Sequence, residues 1–139
     1  MDCQSPSLIP AVAAFWKGIL YDKEARCQAW ELVSDMKEEE RLALHRAVPR
    51  EGLQAKAAGR PLLEMAHELV EIACASLARQ RPKGETRDEC LFLGRIREEI
   101  SGPGKSPAES LLEKWSGEFQ LDPQRLIDYL SVLSPESNH

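Results

Sequence analysis

The sequence predicts an all-α fold, a bundle of about six or seven helices, on three observations. Apolar residues recur at intervals of three and four along most of the chain, the breaks between these runs are short and carry Pro, Gly or capping residues, and no segment shows the alternation of a half-buried strand. At 139 residues and 42% hydrophobic content, the chain suffices for one domain with its own core. That domain is expected over residues 1–134, with a disordered tail at 135–139.

The first helix is expected from about Pro6 to Tyr21. Leu8, Ile9, Val12, Ala13, Phe15, Trp16, Ile19 and Leu20 make it apolar almost all round, which implies burial on most sides. Asp22 is placed to cap a second helix with Trp30, Leu32 and Val33 on its apolar side. Glu38 to Ala47 forms a third, ended by Val48-Pro49, because the residue before a proline disfavours helical backbone. The stretch from Glu51 to Arg60, with Gly52 and Gly59, reads as a loose connector.

A fourth helix begins at Pro61, where a missing N–H does no harm, and its Leu62, Met65, Ala66, Leu69, Ile72, Ala73 and Leu77 recur at three and four. The link from Arg79 to Glu85 is polar, contains Pro82 and Gly84, and reads as an exposed loop. Thr86 and Glu89 form a capping box for a fifth helix bearing Leu93, Ile96 and Ile100, stopped by Gly102-Pro103-Gly104. Ser106 and Glu109 repeat the box, with Pro107 at the first helical position, for a sixth helix through Leu111, Leu112 and Trp115 to Gly117. Asp122-Pro123 opens the last.

Charge and composition exclude several function classes. The net charge of −5 arises from 23 acidic and 18 basic residues dispersed along the chain, without the basic stripe that nucleic-acid binding by counterion release requires. Leu8 to Leu20 is interrupted by Lys17 and is too short to span a membrane, and no basic segment precedes it as in a secretory signal. Cys3, Cys27, Cys74 and Cys90 form no CxxC pair, so a reduced, cytoplasmic protein is expected. Cys74 and Cys90 lie among apolar helix residues and read as buried, unreactive thiols, Cys3 as an exposed one.

The acidic runs Glu38-Glu39-Glu40, Asp88-Glu89 and Glu98-Glu99 read as solvated helix faces, and neither His45 nor His67 has a ligand partner at motif spacing, so no metal is assigned. Lys105, in Gly102-Pro103-Gly104-Lys105-Ser106, stands before a helix start that could attract an anion. The spacing is wrong for a nucleotide loop, and a simple connection is the better reading.

Two distant segments carry a resemblance. They are Ala14-Phe15-Trp16-Lys17-Gly18-Ile19-Leu20-Tyr21-Asp22, and Ser106-Pro107-Ala108-Glu109-Ser110-Leu111-Leu112 through Gly117-Glu118-Phe119 to Asp122-Pro123. Val48-Pro49-Arg50, Gly59-Arg60 and the helix from Leu63 to Leu77 follow between them in order. Together, over almost the whole chain, they resemble the C-terminal part of the plant-type glutamate–cysteine ligases of plants and bacteria, ATP-dependent enzymes of glutathione biosynthesis that make γ-glutamylcysteine.

The resemblance implies the C-terminal helical arm of a larger α+β ligase. In that family an antiparallel sheet holds ATP and acidic side chains hold metal ions, Mg2+ being the one implied; those carboxylates have no counterpart here. No catalytic residue, metal ligand or cofactor is therefore expected in this chain, and it would be inactive alone. Asp2-Cys3-Gln4 resembles the tail of a stretch that closes the catalytic sheet, which implies a cut at Met1 and places Asp2 and Gln4, with Trp16, at the lining of the substrate cleft. Pro6 and Pro10 stand where the family has a cleft Trp and where plant members have a Cys available for disulfide control, so plant-like thiol regulation is not expected. The segment from Gly117 to Pro123 is shorter and more apolar than the family's Gly-rich spacer, which suggests a bacterial member or a diverged paralogue. The partner implied is the catalytic half, or a second copy through the apolar helix at 8–20. A stand-alone helical interaction or regulatory module, docking on a separate protein, is the alternative of a different class.

Overall fold

The computed structural model of the protein describes residues 8–57, 59–102 and 107–132. Within them run α1 (Ile9–Leu20), α2 (Lys23–Glu31), α3 (Glu38–Glu51), the two-residue strands β1 (Lys56–Ala57) and β2 (Arg60–Pro61), α4 (Leu62–Gln80), α5 (Gly94–Ser101), α6 (Pro107–Ser116) and α7 (Pro123–Val132). The all-α expectation of six or seven helices holds. The expected tail at 135–139, the helix start at Pro6 and the loop residues Lys105 and Ser106 lie outside the described residues.

The longest helix, α4, is the axis. Its Val70, Ala73 and Leu77 form one core with Ala14 and Ile19 of α1, Leu93 of the 3-10 turn Glu89–Leu93, and Ile100 of α5. Contact with α1 is close because the facing residues are small. Ala11, Ala14 and Gly18 are buried on one side of α1, and a Cβ built on Gly18 would lie 2.6 Å from the Ala73 carbonyl oxygen and 2.9 Å from its Cα. Only glycine fits there without moving backbone.

At the end of α1 the chain turns through Tyr21 into α2, and Asp22 does two jobs. Its Oδ1 accepts from the Ala25 N–H at 2.8 Å, the expected cap. Both its oxygens also accept from Arg79 at the far end of α4, at 3.0 and 3.1 Å, a bidentate pair that fastens the α1–α2 corner to the axis. The Arg79 guanidinium, helped by the Ala25 N–H, lowers the Asp22 carboxyl to about 2.

Four expectations need correction. First, α3 does not stop at Val48-Pro49 but continues to Glu51, where Gly52 with φ +56° ends it. A proline in the last turn removes one hydrogen bond, and α3, which buries no residue, leaves the freed carbonyl within reach of water. At its start Glu40 accepts from the Lys37 N–H at 2.9 Å; lysine has no acceptor to reciprocate, so this is half of a capping box.

Second, the connector from Glu51 to Arg60 is not loose throughout. A 3-10 turn (Gly52–Gln54) leads into an antiparallel ribbon pairing Lys56 with Pro61 and Ala57 with Arg60. Ala57 is buried there with Met36 and Met65, a second small core that Leu32, Val33 and Leu44 flank.

Third, the box expected from Thr86 and Glu89 is not formed: Asp88 caps instead, accepting from the Cys90 N–H at 3.1 Å, and a 3-10 turn precedes α5. Fourth, Cys74 and Cys90, expected as separate thiols, are joined in a disulfide across a sequence separation of 16.

The corner between α6 and α7 forms without glycine at its left-handed positions, Gln120 (φ 52°) and Leu121 (φ 62°). The Phe119 and Leu121 N–H groups close it on the Lys114 and Trp115 carbonyls at 2.7 and 2.9 Å. Phe119 is buried and packs its ring 5.4 Å from that of Tyr129, over which Lys114 also sits.

Gly18→Ala should destabilise the protein despite alanine's advantage of about 1 kcal/mol in helices, because the forced backbone shift costs roughly 1–3 kcal/mol. Gly94→Ala, where a Cβ meets nothing within 4 Å, should be neutral or slightly stabilising. Urea-unfolding midpoints check the pair, and equal midpoints would refute close packing at Gly18.

The low Asp22 value sets the sign of a pH effect. A carboxyl at about 2 when folded and about 3.9 when unfolded contributes stability that is complete above about pH 4 and lost as pH falls towards 2. Asp22→Asn, which keeps the cap oxygen, should therefore be less stable than the parent at pH 7, with the gap closing below about pH 4. A gap that stays constant on acidification would exclude the Arg79 pairing as its source.

Candidate functional site

Small residues face α4, and with Phe15 and Ile19 at the edges of that seam the other large side chains of α1 point away from it. At 100° per residue Ile9, Ala13, Trp16 and Leu20 fall on a single stripe diametrically opposite Ala11, Ala14 and Gly18. All four are exposed, Trp16 by 52% and Leu20 by 49%. Trp16 is steadied edge-on by Phe15, with ring centroids 5.5 Å apart and planes at 73°. Exposed leucines are ordinary, but an aligned row of large apolar residues on a helix already buried behind is a surface built for contact.

A shallow cleft of about 200 Å³ opens beside this helix, lined by Lys17, Leu77, Gln80, Arg81, Pro82, Glu85, Arg87 and Glu89. Lys17 pairs with Glu89, and Arg81 with Asp88 at 2.6 Å. Gln80 donates to Ser76 at 2.8 Å, satisfying that fully buried hydroxyl, and reaches towards the Lys17 carbonyl. The mixture of signs gives the cleft no strong field for either kind of ion.

Of the three cleft-lining residues expected from the sequence, Asp2 and Gln4 lie outside the described residues, and Trp16 stands on the apolar stripe. Among the described residues the acidic runs do not converge, and no group of three His, Cys, Asp or Glu there could hold a metal ion. Nor is any helix among them long and apolar enough to cross a membrane. The described residues offer an apolar contact face and rigid support for it.

Sequence reasoning missed two contributors. Gly18 interrupts an otherwise apolar helical run, and an isolated glycine in such a run signals close packing. Glu89 holds Lys17 from 72 residues away, a pairing for which the sequence carries no local signal.

Residues 1–126 match the family described as Glutamate-cysteine ligase family 2 (GCS2). The chain is 34% identical over 109 residues to a chloroplastic glutamate–cysteine ligase of Solanum lycopersicum, an alignment that covers 78% of this chain and 20% of the relative. Against the corresponding enzyme of Nicotiana tabacum the identity is 35% over 109 residues, with the same coverage. For that of Medicago truncatula it is 32% over 120 residues, 86% of this chain and 22% of the relative. The chain thus spans about a fifth of the length of the curated relatives it matches. A family match over nearly all of its length, with relatives more than 30% identical over most of it, shows that the chain belongs to the glutamate–cysteine ligase family 2.

Proposed function

We propose that this chain is the C-terminal helical segment of an ATP-dependent glutamate–cysteine ligase of glutathione biosynthesis, and that it braces the catalytic sheet and walls one side of its cleft. The observation that carries the reading is the outward stripe of α1, a finished contact surface on a helix whose other side is locked onto α4. A sheet carried by another part of the enzyme would cover Ile9, Trp16 and Leu20 and bury roughly 1.5–3 kcal/mol of transfer free energy for each large side chain fully enclosed. In this reading Asp2 and Gln4 lead into α1 at the edge of the cleft. ATP and Mg2+ do not fit the described residues, which lack a converging acidic set; ligands for both belong to the catalytic part. No step of ligation is assigned to this chain.

Two measurements test the proposal. These 139 residues, purified, should release no phosphate from ATP in a glutamate- and cysteine-dependent manner. A chimera in which they replace the matching segment of the Solanum lycopersicum ligase should form γ-glutamylcysteine, and Trp16→Asp in that chimera should lower the rate by roughly tenfold or more. The isolated chain carrying Trp16→Asp should keep its helical content, since the side chain is half exposed. Ligation by the chain alone, or a Trp16→Asp chimera as fast as its parent, would defeat the reading.

A further inference from the structure

The disulfide joins Cys74 and Cys90, two residues that the sequence marks as buried, unreactive thiols. Cys74 sits in the fourth turn of α4 and is partly buried against the main core. Cys90 belongs to the five-residue 3-10 turn Glu89–Leu93, and the two Cα atoms are 5.0 Å apart, within the range a disulfide spans. Between them runs the end of α4 and then residues 81–88, outside regular structure and almost entirely exposed.

The 3-10 turn lies against α4 and α1, but little of it is buried. Leu93 is its one buried residue, whereas Leu91 is 76% and Phe92 45% exposed. Glu89 pairs with Lys17 of α1 and Asp88 with Arg81, all four side chains being 35–43% exposed, so solvent screens both pairs. The covalent link is therefore the strongest single tie between this turn and α4, and it lies where a short surface element can move aside and admit an attacking thiol.

We propose that Cys74 and Cys90 form a reversible redox clasp that controls how firmly residues 81–93 are held against α4 and α1. The chemistry balances as thiol–disulfide exchange with a low-molecular-weight thiol couple. One protein thiolate attacks the oxidised small-molecule disulfide, forming a mixed disulfide and expelling one small thiolate. The second protein thiolate attacks the protein sulfur of that intermediate and expels the other. Two protein thiols and one small disulfide thus become one protein disulfide and two small thiols, the two electrons passing to the small molecule, and reduction runs the same steps backwards. When oxidised, the clasp keeps Glu89 on Lys17 beside the outward stripe of α1. When reduced, the turn keeps its packing on α4 and α1 through Leu93 and the two screened pairs but loses the covalent tie. The clasp follows from the fold alone and does not depend on the ligase reading.

The test uses the full chain in buffers of oxidised and reduced dithiothreitol, with alkylation of free thiols and peptide mass analysis. A Cys74–Cys90 linked peptide should accumulate on oxidation and disappear on reduction over repeated cycles, while the exposed Cys27 stays alkylated in reducing buffer as the internal control. On reduction, amide hydrogen exchange across residues 81–93 should quicken by roughly tenfold or more, the midpoint of thermal unfolding should fall by roughly 10 °C, and exchange at Gly18 and Ala73 should change little. Cys90→Ser should show the fast exchange in either buffer. The wild-type comparison needs no substitution, so a variant that fails to fold leaves the test intact. The proposal is overturned if no linked peptide forms, if the link survives millimolar reduced dithiothreitol in the folded protein, or if exchange over 81–93 is the same in both buffers.

Discussion

The approach of α1 to α4 at Gly18 and Ala73 is the constraint from which the rest of the arrangement follows. Two helices this close can meet only along small residues, and α1 supplies Ala11, Ala14 and Gly18. A helix with its small residues committed to the seam must carry its large ones elsewhere. Phe15 and Ile19 flank the seam and close the core at its edges, which leaves Ile9, Trp16 and Leu20 on the far side. The exposed stripe is thus a direct consequence of the packing. It also explains how a helix apolar almost all round can belong to a small bundle without being buried all round.

Polar contacts finish this arrangement and do not drive it. Lys17 with Glu89, Arg60 with Glu68 and Arg97 with Glu71 are partly solvated ion pairs, each worth about 0–1 kcal/mol, against about 1.5–3 kcal/mol for burying Leu77 or Leu93. Asp22 differs in geometry. Its side chain is 15% exposed, it receives a backbone N–H and a bidentate guanidinium together, and it joins three helices at one corner. Its contribution is the angle at which α2 leaves α1.

Much of this could be read from the sequence, and the failures have identifiable causes. Asp22 and Asp122 announce helix starts because a carboxylate one step before a helix meets free N–H groups, and the Asp122 oxygen does accept from Gln124 at 2.9 Å. The period of α4 was legible because its buried residues repeat at helical spacing over 19 residues. The end of α3 was not: Pro49 removes one hydrogen bond and disfavours helical backbone at Val48, yet the helix runs on until Gly52 turns it with φ +56°, which local preference does not show. The ribbon at Lys56–Pro61 was illegible because two-residue strands are too short to alternate. The Cys74–Cys90 pair depends on the direction in which the 3-10 turn returns to α4, which spacing cannot give. As for the candidate site, the sequence identified α1 and Trp16 but could not say which side of the helix faces out, because its apolar pattern is nearly continuous and Gly18 alone marks the seam.

The α6–α7 corner shows how tertiary contacts hold a turn that lacks glycine where its backbone is left-handed. The short apolar segment Gly117 to Pro123 makes the turn with Gln120 and Leu121 in left-handed backbone, where glycine would be the natural residue and a side chain costs about 1 kcal/mol or more. Offsetting contacts lie beside it. Phe119 is buried against Tyr129, Lys114 spans Tyr129 and Glu118, and the Phe119 and Leu121 N–H groups satisfy carbonyls at the end of α6. Local strain is accepted where tertiary contacts over-determine the geometry. The same logic runs through the molecule: Pro49 inside α3 and the glycine-only seam at residue 18 are local concessions to the positions of whole helices. Where helix positions override local preference in this way, the large apolar side chains of α1 are left on the side that the seam with α4 does not use.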